Sequence, residues 1–141
     1  MPLPETFCIY DTIAHHRVVI LVDSESIHNF LQPRLANFLH LPSNPTSTMR
    51  VMISDCTMLD CTSMCLNIPI TIQRHTFPVD LYPLPIGGTN IVLGVQWLKL
   101  LGPVTIDHSA LTMSFTYLVH NITLQADVPF TQAQPQPNNS N

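Results

Sequence analysis

An aspartate stands where a buried strand should end. Val18-Val19-Ile20-Leu21-Val22 runs straight into Asp23-Ser24, and a β-branched apolar run of this length reads as a strand inside a core. A carboxylate at the end of such a strand is held rigidly yet can face a cleft, which is what general acid–base work on water or a carbonyl requires. A second feature follows far along the chain, where Ile91-Val92-Leu93 ends at Gly94 before the amphipathic Val95-Gln96-Trp97-Leu98. Taken alone, Asp23 also fits a simple turn, with Ser24 or Ser26 capping a following helix. Cys56, Cys61, Cys65 and His75 are of zinc-ligand type, but no CxxC pair is present. Four apart on a strand, Cys61 and Cys65 share a face as small apolar fillers. No metal and no cofactor are therefore expected.

The elements that must position Asp23 can be read along the chain. Residues 1–14 form a proline-containing lead-in with a candidate strand over Thr6–Tyr10, and His15-His16-Arg17 turns the chain into the Val18–Val22 strand. Leu31, Leu35, Phe38 and Leu39 recur at helical spacing, with Pro33 tolerable only in the first turn. Met49–Ile53 and Met58–Ile72 read as strands of a hairpin whose tip is Ser54-Asp55-Cys56-Thr57. His75–Tyr82 and Ile91–Leu93 are further strands, and Val95–Leu101 makes a short helix before Gly102-Pro103. Val104–His108 and Leu111–Tyr117 pair as a hairpin, and Asn121–Gln125 adds a last strand. From Val128 the chain turns Pro/Gln/Asn-rich without apolar periodicity and reads as a disordered tail.

Composition bounds the class. The 141 residues are 45% hydrophobic, enough for one domain over 15–127 with its own core. Thirteen prolines and 10% charged residues favour short strands over helical bundles. A formal net charge of −4 gives no basic footprint for nucleic acid. No apolar run approaches membrane-spanning length and no signal-like start is present, so a soluble protein of the intracellular space, the cytoplasm first, is expected. Asn121-Ile122-Thr123 then reads as strand rather than a glycosylation site, Asp107-His108 as a turn, and Trp97 as core.

In order and spacing these segments resemble the retropepsins, the aspartic proteases of retroviruses and gypsy-type LTR retrotransposons. The match is closest to the protease segment of plant gypsy-type gag-pol polyproteins. There a strand leads into D-S-G-S-T-H-N-F, then a short helix, a flap hairpin, and later I-V-L-G-V-Q-W-L. This chain carries Asp23-Ser24-Glu25-Ser26-Ile27-His28-Asn29-Phe30 and Ile91-Val92-Leu93-Gly94-Val95-Gln96-Trp97-Leu98. Pro33–Ala36, Val79–Tyr82 and Leu111–Phe115 are similar to that family too. The resemblance implies a mostly β, closed or partly closed barrel with a flap hairpin and two short helices. It further implies peptide-bond hydrolysis of a polyprotein by a homodimer, with Asp23 from each copy sharing a proton over one water. Ser24 would tie the two loops together across the dimer axis. Ser54, Asp55, Cys56 and Thr57 would close over the peptide beside residue 25, and Leu93-Gly94 would pack beneath the catalytic loop.

Departures from that pattern point to a weakened site. Glu25 replaces the motif's glycine, Ile27 a threonine and Ser63 a glycine, and the hairpin tip lacks a residue suited to positive φ. A glutamate at the glycine position is expected to block space beside the aspartate and to strain the backbone by about 1–3 kcal/mol, and this steric effect decides. Its charge, at about 5 Å and an effective dielectric near 20, costs about 3 kcal/mol more. A catalytically dead dimerisation or peptide-binding module on the same scaffold is the alternative.

Overall fold

The computed structural model describes residues 6–54 and 57–127, with Ile53 and Ser54 described by backbone alone. β1 (Thr6–Ile13) and β2 (His16–Asp23) form an antiparallel hairpin paired along its whole length, from Thr6 opposite Asp23 to Ile13 opposite His16. The first strand thus runs three residues past Tyr10, and its turn is Ala14-His15 rather than His15–Arg17. A two-residue loop lets the ladder continue to its end, provided both turn residues accept positive φ. Ala14 and His15 do so at 49° and 70°. β1 lies within the segment read as a lead-in and forms one edge of a seven-stranded sheet.

β3 is only Phe30–Leu31, and α1 covers Pro33–Phe38. Leu31 therefore leaves the helix that its spacing suggested. It pairs with Ile91, and Phe30 with Tyr82, because these buried ladders outweigh one more turn of a helix that Pro33 must begin. Phe38 also departs from the apolar face: it is exposed and meets the His16 ring edge-on at 4.3 Å.

β4 (Asn44–Ser54) and β5 (Thr57–Ile72) make the long hairpin, with register shifts between Pro45 and Met49 and between Met52 and Ser54. β4 begins five residues before Met49, and Pro45 is admitted because β4 is the far edge of its sheet. β6 (His75–Pro83), β7 (Ile91–Leu93), α2 (Val95–Leu101), β8 (Thr105–Asp107), β9 (Thr112–Tyr117) and β10 (His120–Gln125) complete the order.

The large sheet runs β1-β2-β7-β3-β6-β5-β4 and the small one β10-β9-β8. The sheets wrap partly around one core without closing a barrel. Met113, Phe115, Ile122 and Leu124 of the small sheet join Ile9, Ile20, Ile70, Phe77 and Trp97 there. The Trp97 ring is fully buried and meets Phe77 edge-on at 5.5 Å. The Gln73 side chain clamps the backbone of Gln125 on both sides, accepting from its N–H and donating to its carbonyl. That pair ties the end of β10 to the β5–β6 turn. Among the described residues, no helix is long and apolar enough to cross a membrane.

The β9–β10 hairpin turns through Leu118 and Val119, at φ 49° and 62° and 72% and 92% exposed. Left-handed backbone costs an L-residue about 1–2 kcal/mol, and nothing in the described contacts repays it. The double substitution Leu118→Asn, Val119→Gly should therefore raise stability by about 1–2 kcal/mol. Urea titration followed by tryptophan fluorescence reads this, and an unchanged or lowered midpoint would contradict it.

Candidate active site

The site is built by one topological fact. β2 is parallel to β7, β3 is antiparallel to it, and β7 lies between them. The connection from Asp23 to Phe30 must therefore cross the end of β7, where Val22 faces Leu93. It crosses at Gly94. A Cβ built there would stand 2.3 Å from the Ser26 carbonyl oxygen and 2.6 Å from that of His28, closer than any side chain permits. Only glycine lets the two backbones touch.

The contact is sealed by hydrogen bonds. Val95 N–H donates to the Ser26 carbonyl at 2.7 Å and Gln96 N–H to that of Ile27 at 3.0 Å. The loop thereby satisfies N–H groups that the start of α2 leaves unpaired, in place of a side-chain cap. Gly94 N–H donates to Asn29 Oδ1 at 2.8 Å, Asn29 Nδ2 donates to the Asp80 carbonyl, and Tyr82 N–H donates to the Asn29 carbonyl. Asn29 is 2% exposed and fully engaged.

Within this frame Asp23 is half-buried and its loop is a turn: Glu25 N–H donates to Asp23 Oδ1 at 2.9 Å and Ser26 N–H to the Asp23 carbonyl at 3.1 Å. The capping role open to Ser24 or Ser26 is not taken up. α1 starts three residues beyond Phe30 behind Gln32 without a side-chain cap, and Ser26 Oγ donates to the His28 carbonyl. Asp23 lines a cleft of about 580 Å³ together with Glu25, Leu21, Phe30, Val51 and Ile86. Val51 and Met52 of the β4–β5 hairpin and Pro85-Ile86-Gly87 also line it.

The residues singled out in the sequence fall in several places. Asp23 and Glu25 meet in the cleft, Leu93 is fully buried beside Val22, and Gly94 lies beneath the loop. Ser24 faces away from the cleft, toward a smaller apolar cavity. Ser54 and Thr57 pair at the end of the hairpin, and Thr57 is exposed. Asp55 and Cys56 lie outside the described residues. Glu25 is exposed and does not adopt positive φ, so no left-handed strain arises there, while its side chain and its charge stand at the cleft.

Among the described residues, no three His, Cys, Asp or Glu side chains converge as metal ligands do. Burial, and then the neighbouring Cys61, push the Cys65 thiol up, so it stays protonated and packs as an apolar group. Sequence reasoning overlooked Asn29 as an anchor and Val51, Met52 and Ile86 as cleft walls. An asparagine just before an apolar pair was the available signal for the first; the others depend on tertiary folding.

Asp23 thus stands on a rigidly pinned loop beside a cleft of mixed polar and apolar lining. The profile of the retroviral aspartyl protease family matches residues 6–117, and the chain belongs to that family. No curated protein sequence matches it. Among solved structures it is similar to the retroviral protease-like domain of Ddi1 from Leishmania major, at a TM-score of 0.63 and 16% identity. That likeness covers 89% of this chain and 96% of the other, and it bears on the fold.

Gly94→Ala forces a methyl group into two carbonyl oxygens and should cost about 3 kcal/mol or more. Asn29→Ala strands the buried Gly94 N–H and Asp80 carbonyl, at about 1–3 kcal/mol each. Chemical denaturation of both variants checks this. A Gly94→Ala protein as stable as wild type would show that the loop is not held by this contact.

Proposed function

We propose that this chain is an aspartic endopeptidase whose catalytic pair is assembled from Asp23 of two identical copies. One observation carries the reading: Asp23 lines the cleft on a loop fixed from below by Gly94 and α2. Each chain offers a single such aspartate, so a twofold dimer is needed to supply the second. Two carboxyl groups at close range share a proton. The ionised one takes a proton from water as it attacks the peptide carbonyl, and the protonated one donates to the carbonyl oxygen. Proton transfer of this kind is worth about 10²–10⁴-fold in rate.

Leu21, Phe30, Val51, Leu84, Ile86 and Val92 give the cleft apolar walls suited to an extended peptide. The motif resemblance to plant gypsy-type polyproteins supports the precursor polyprotein of a retroelement as substrate. Ser24, Ser54 and Thr57 keep the roles the resemblance gives them, at the dimer axis and over the peptide. The second reading, a non-catalytic dimerisation or peptide-binding module, is favoured by one observation. Glu25 lines the same cleft as Asp23.

Cleavage of a peptide library by wild type, Asp23→Asn and Glu25→Gly decides between them, with the dimer followed by sedimentation. Wild type should cleave slowly, and Asp23→Asn should abolish cleavage. Glu25→Gly should raise kcat/KM by about 10- to 100-fold, the worth of one close charge. If both wild type and Glu25→Gly are inert as confirmed dimers, the endopeptidase reading fails and the binding module stands.

A further inference from the structure

A further cavity, of about 440 Å³, brings together the start of β2, α1 and the loop before β7. His16, Arg34 and Phe38 line it with Gly88, Thr89 and Asn90. Its charge is opposite to that of the cleft. Among the described residues lining it none is acidic, whereas the charged residues lining the cleft are Asp23 and Glu25. Arg34 forms no hydrogen bond or ion pair with another described residue. Asp11, on the strand beside β2, is already engaged by the N–H groups of Thr12 and Gln73. The exposed Phe38 ring is held edge-on against His16 at 4.3 Å, which gives it a defined place in the wall.

Cavity and cleft adjoin, because Thr89 lines both. The segment they share is fixed on several sides. Gln32 Nε2 donates to the carbonyls of Ile86 and Thr89, and Thr89 Oγ1 donates to the Val19 carbonyl at 2.9 Å. Val19 N–H donates in turn to Asn90 Oδ1 at 2.7 Å. Val19 stands four residues before Asp23 on β2, a rise of about 13 Å. The cleft therefore runs from its aspartate toward the basic cavity over the length of about four residues of extended peptide.

We propose that this cavity takes an acidic side chain of the peptide held in the cleft, with Arg34 pairing its carboxylate and Phe38 packing on its methylene stem. The proposal rests on the reading of the cleft as a peptide site, whether catalytic or not. A guanidinium offers two parallel N–H groups to a carboxylate, which fixes its orientation as well as its charge. Span and reach put the acidic residue about four to six positions from the peptide bond that lies over Asp23. Nearer that bond, Asp23 and Glu25 would repel it. Opposite charges at the two ends of one groove thus set the register in which a peptide lies.

The test uses the full chain carrying Asp23→Asn, which can hold a peptide without cutting it. The probes are acetylated, amidated dodecapeptides with Leu-Phe at the centre and threonine elsewhere. Each carries a single Glu, Gln or Lys at the fourth, fifth or sixth residue from the central bond, on either side. Calorimetric titration should show the Glu peptide binding about fivefold tighter than its Gln counterpart at one of these positions, the upper worth of an exposed ion pair. Adding Arg34→Glu should reverse the order, so that the Lys peptide binds tighter, while the Gln peptide binds as before. Adding Arg74→Glu, which makes the same change of net charge at a separate cavity, should leave the Glu preference intact. Equal binding of Glu and Gln peptides at every position would overturn the proposal and leave the cleft as a peptide site. A Glu preference that survives Arg34→Glu, or is lost equally with Arg74→Glu, would overturn it too. If none of the peptides binds, the reading of the cleft falls and takes this proposal with it.

Discussion

The close passage of one backbone over another, Ser26 to His28 across Gly94, is the constraint on which the rest of the site depends. Two strands joined in sequence, β2 and β3, are separated in the sheet by β7, so their connection has to straddle it. Any side chain at the crossing would lift the loop away from α2 and break the Val95 and Gln96 hydrogen bonds. With glycine there, loop carbonyls and helix N–H groups satisfy one another directly. Asn29 fixes the far end of the loop by the same economy, its amide serving Gly94 on one side and Asp80 on the other. The backbone of Asp23 is consequently placed by this crossing, and the Glu25 N–H then holds its carboxylate.

The same crossing explains why the strands around the site are apolar without alternation. Ile20, Val22, Ile91, Leu93 and Leu31 belong to the main core, whereas Leu21, Val92 and Phe30 belong to a second cluster with Cys61, Tyr82 and Leu84. That second cluster backs the cleft. A strand buried on both faces reads as a continuous hydrophobic run. Here one face fills the interior and the other furnishes the walls against which a peptide can lie. Fold stability and cleft chemistry are drawn from alternate residues of the same three strands.

This division also governs what was legible in the sequence. The runs Val18–Val22 and Ile91–Leu93 announced themselves because both faces are apolar, and Asp23 and Gly94 stood out as the residues that end them. Asn29 was opaque because its worth lies in partners 51 and 65 residues away. Leu31 misled because its helical spacing to Leu35 is real, while its pairing with Ile91 is invisible along the chain. The positive-φ turns at Ala14-His15, Gln73-Arg74 and Leu118-Val119 carry none of the glycine or asparagine that marks such hairpins, so their two-residue geometry was hidden. The cleft walls Val51 and Met52 depend on how a long hairpin with register shifts arches over β2.

Glu25 shows how a departure from the motif can be invisible to folding and still bear on function. In one protomer it is exposed, its φ is not positive, and its N–H completes the turn at Asp23 as any residue's would. A neighbouring charge in water costs about 1 kcal/mol at 4 Å, against about 4 kcal/mol at an effective dielectric of 20. The fold therefore tolerates the glutamate almost freely. Among the described residues lining the cleft the charged ones are Asp23 and Glu25, with no cation beside them. The proposed dimer would gather four carboxyl groups into one cleft, and a bound peptide would exclude the water that screens them. The penalty thus falls on assembly and on the closed complex, the states in which a retroviral-type protease acts, and leaves the architecture that identifies the family untouched.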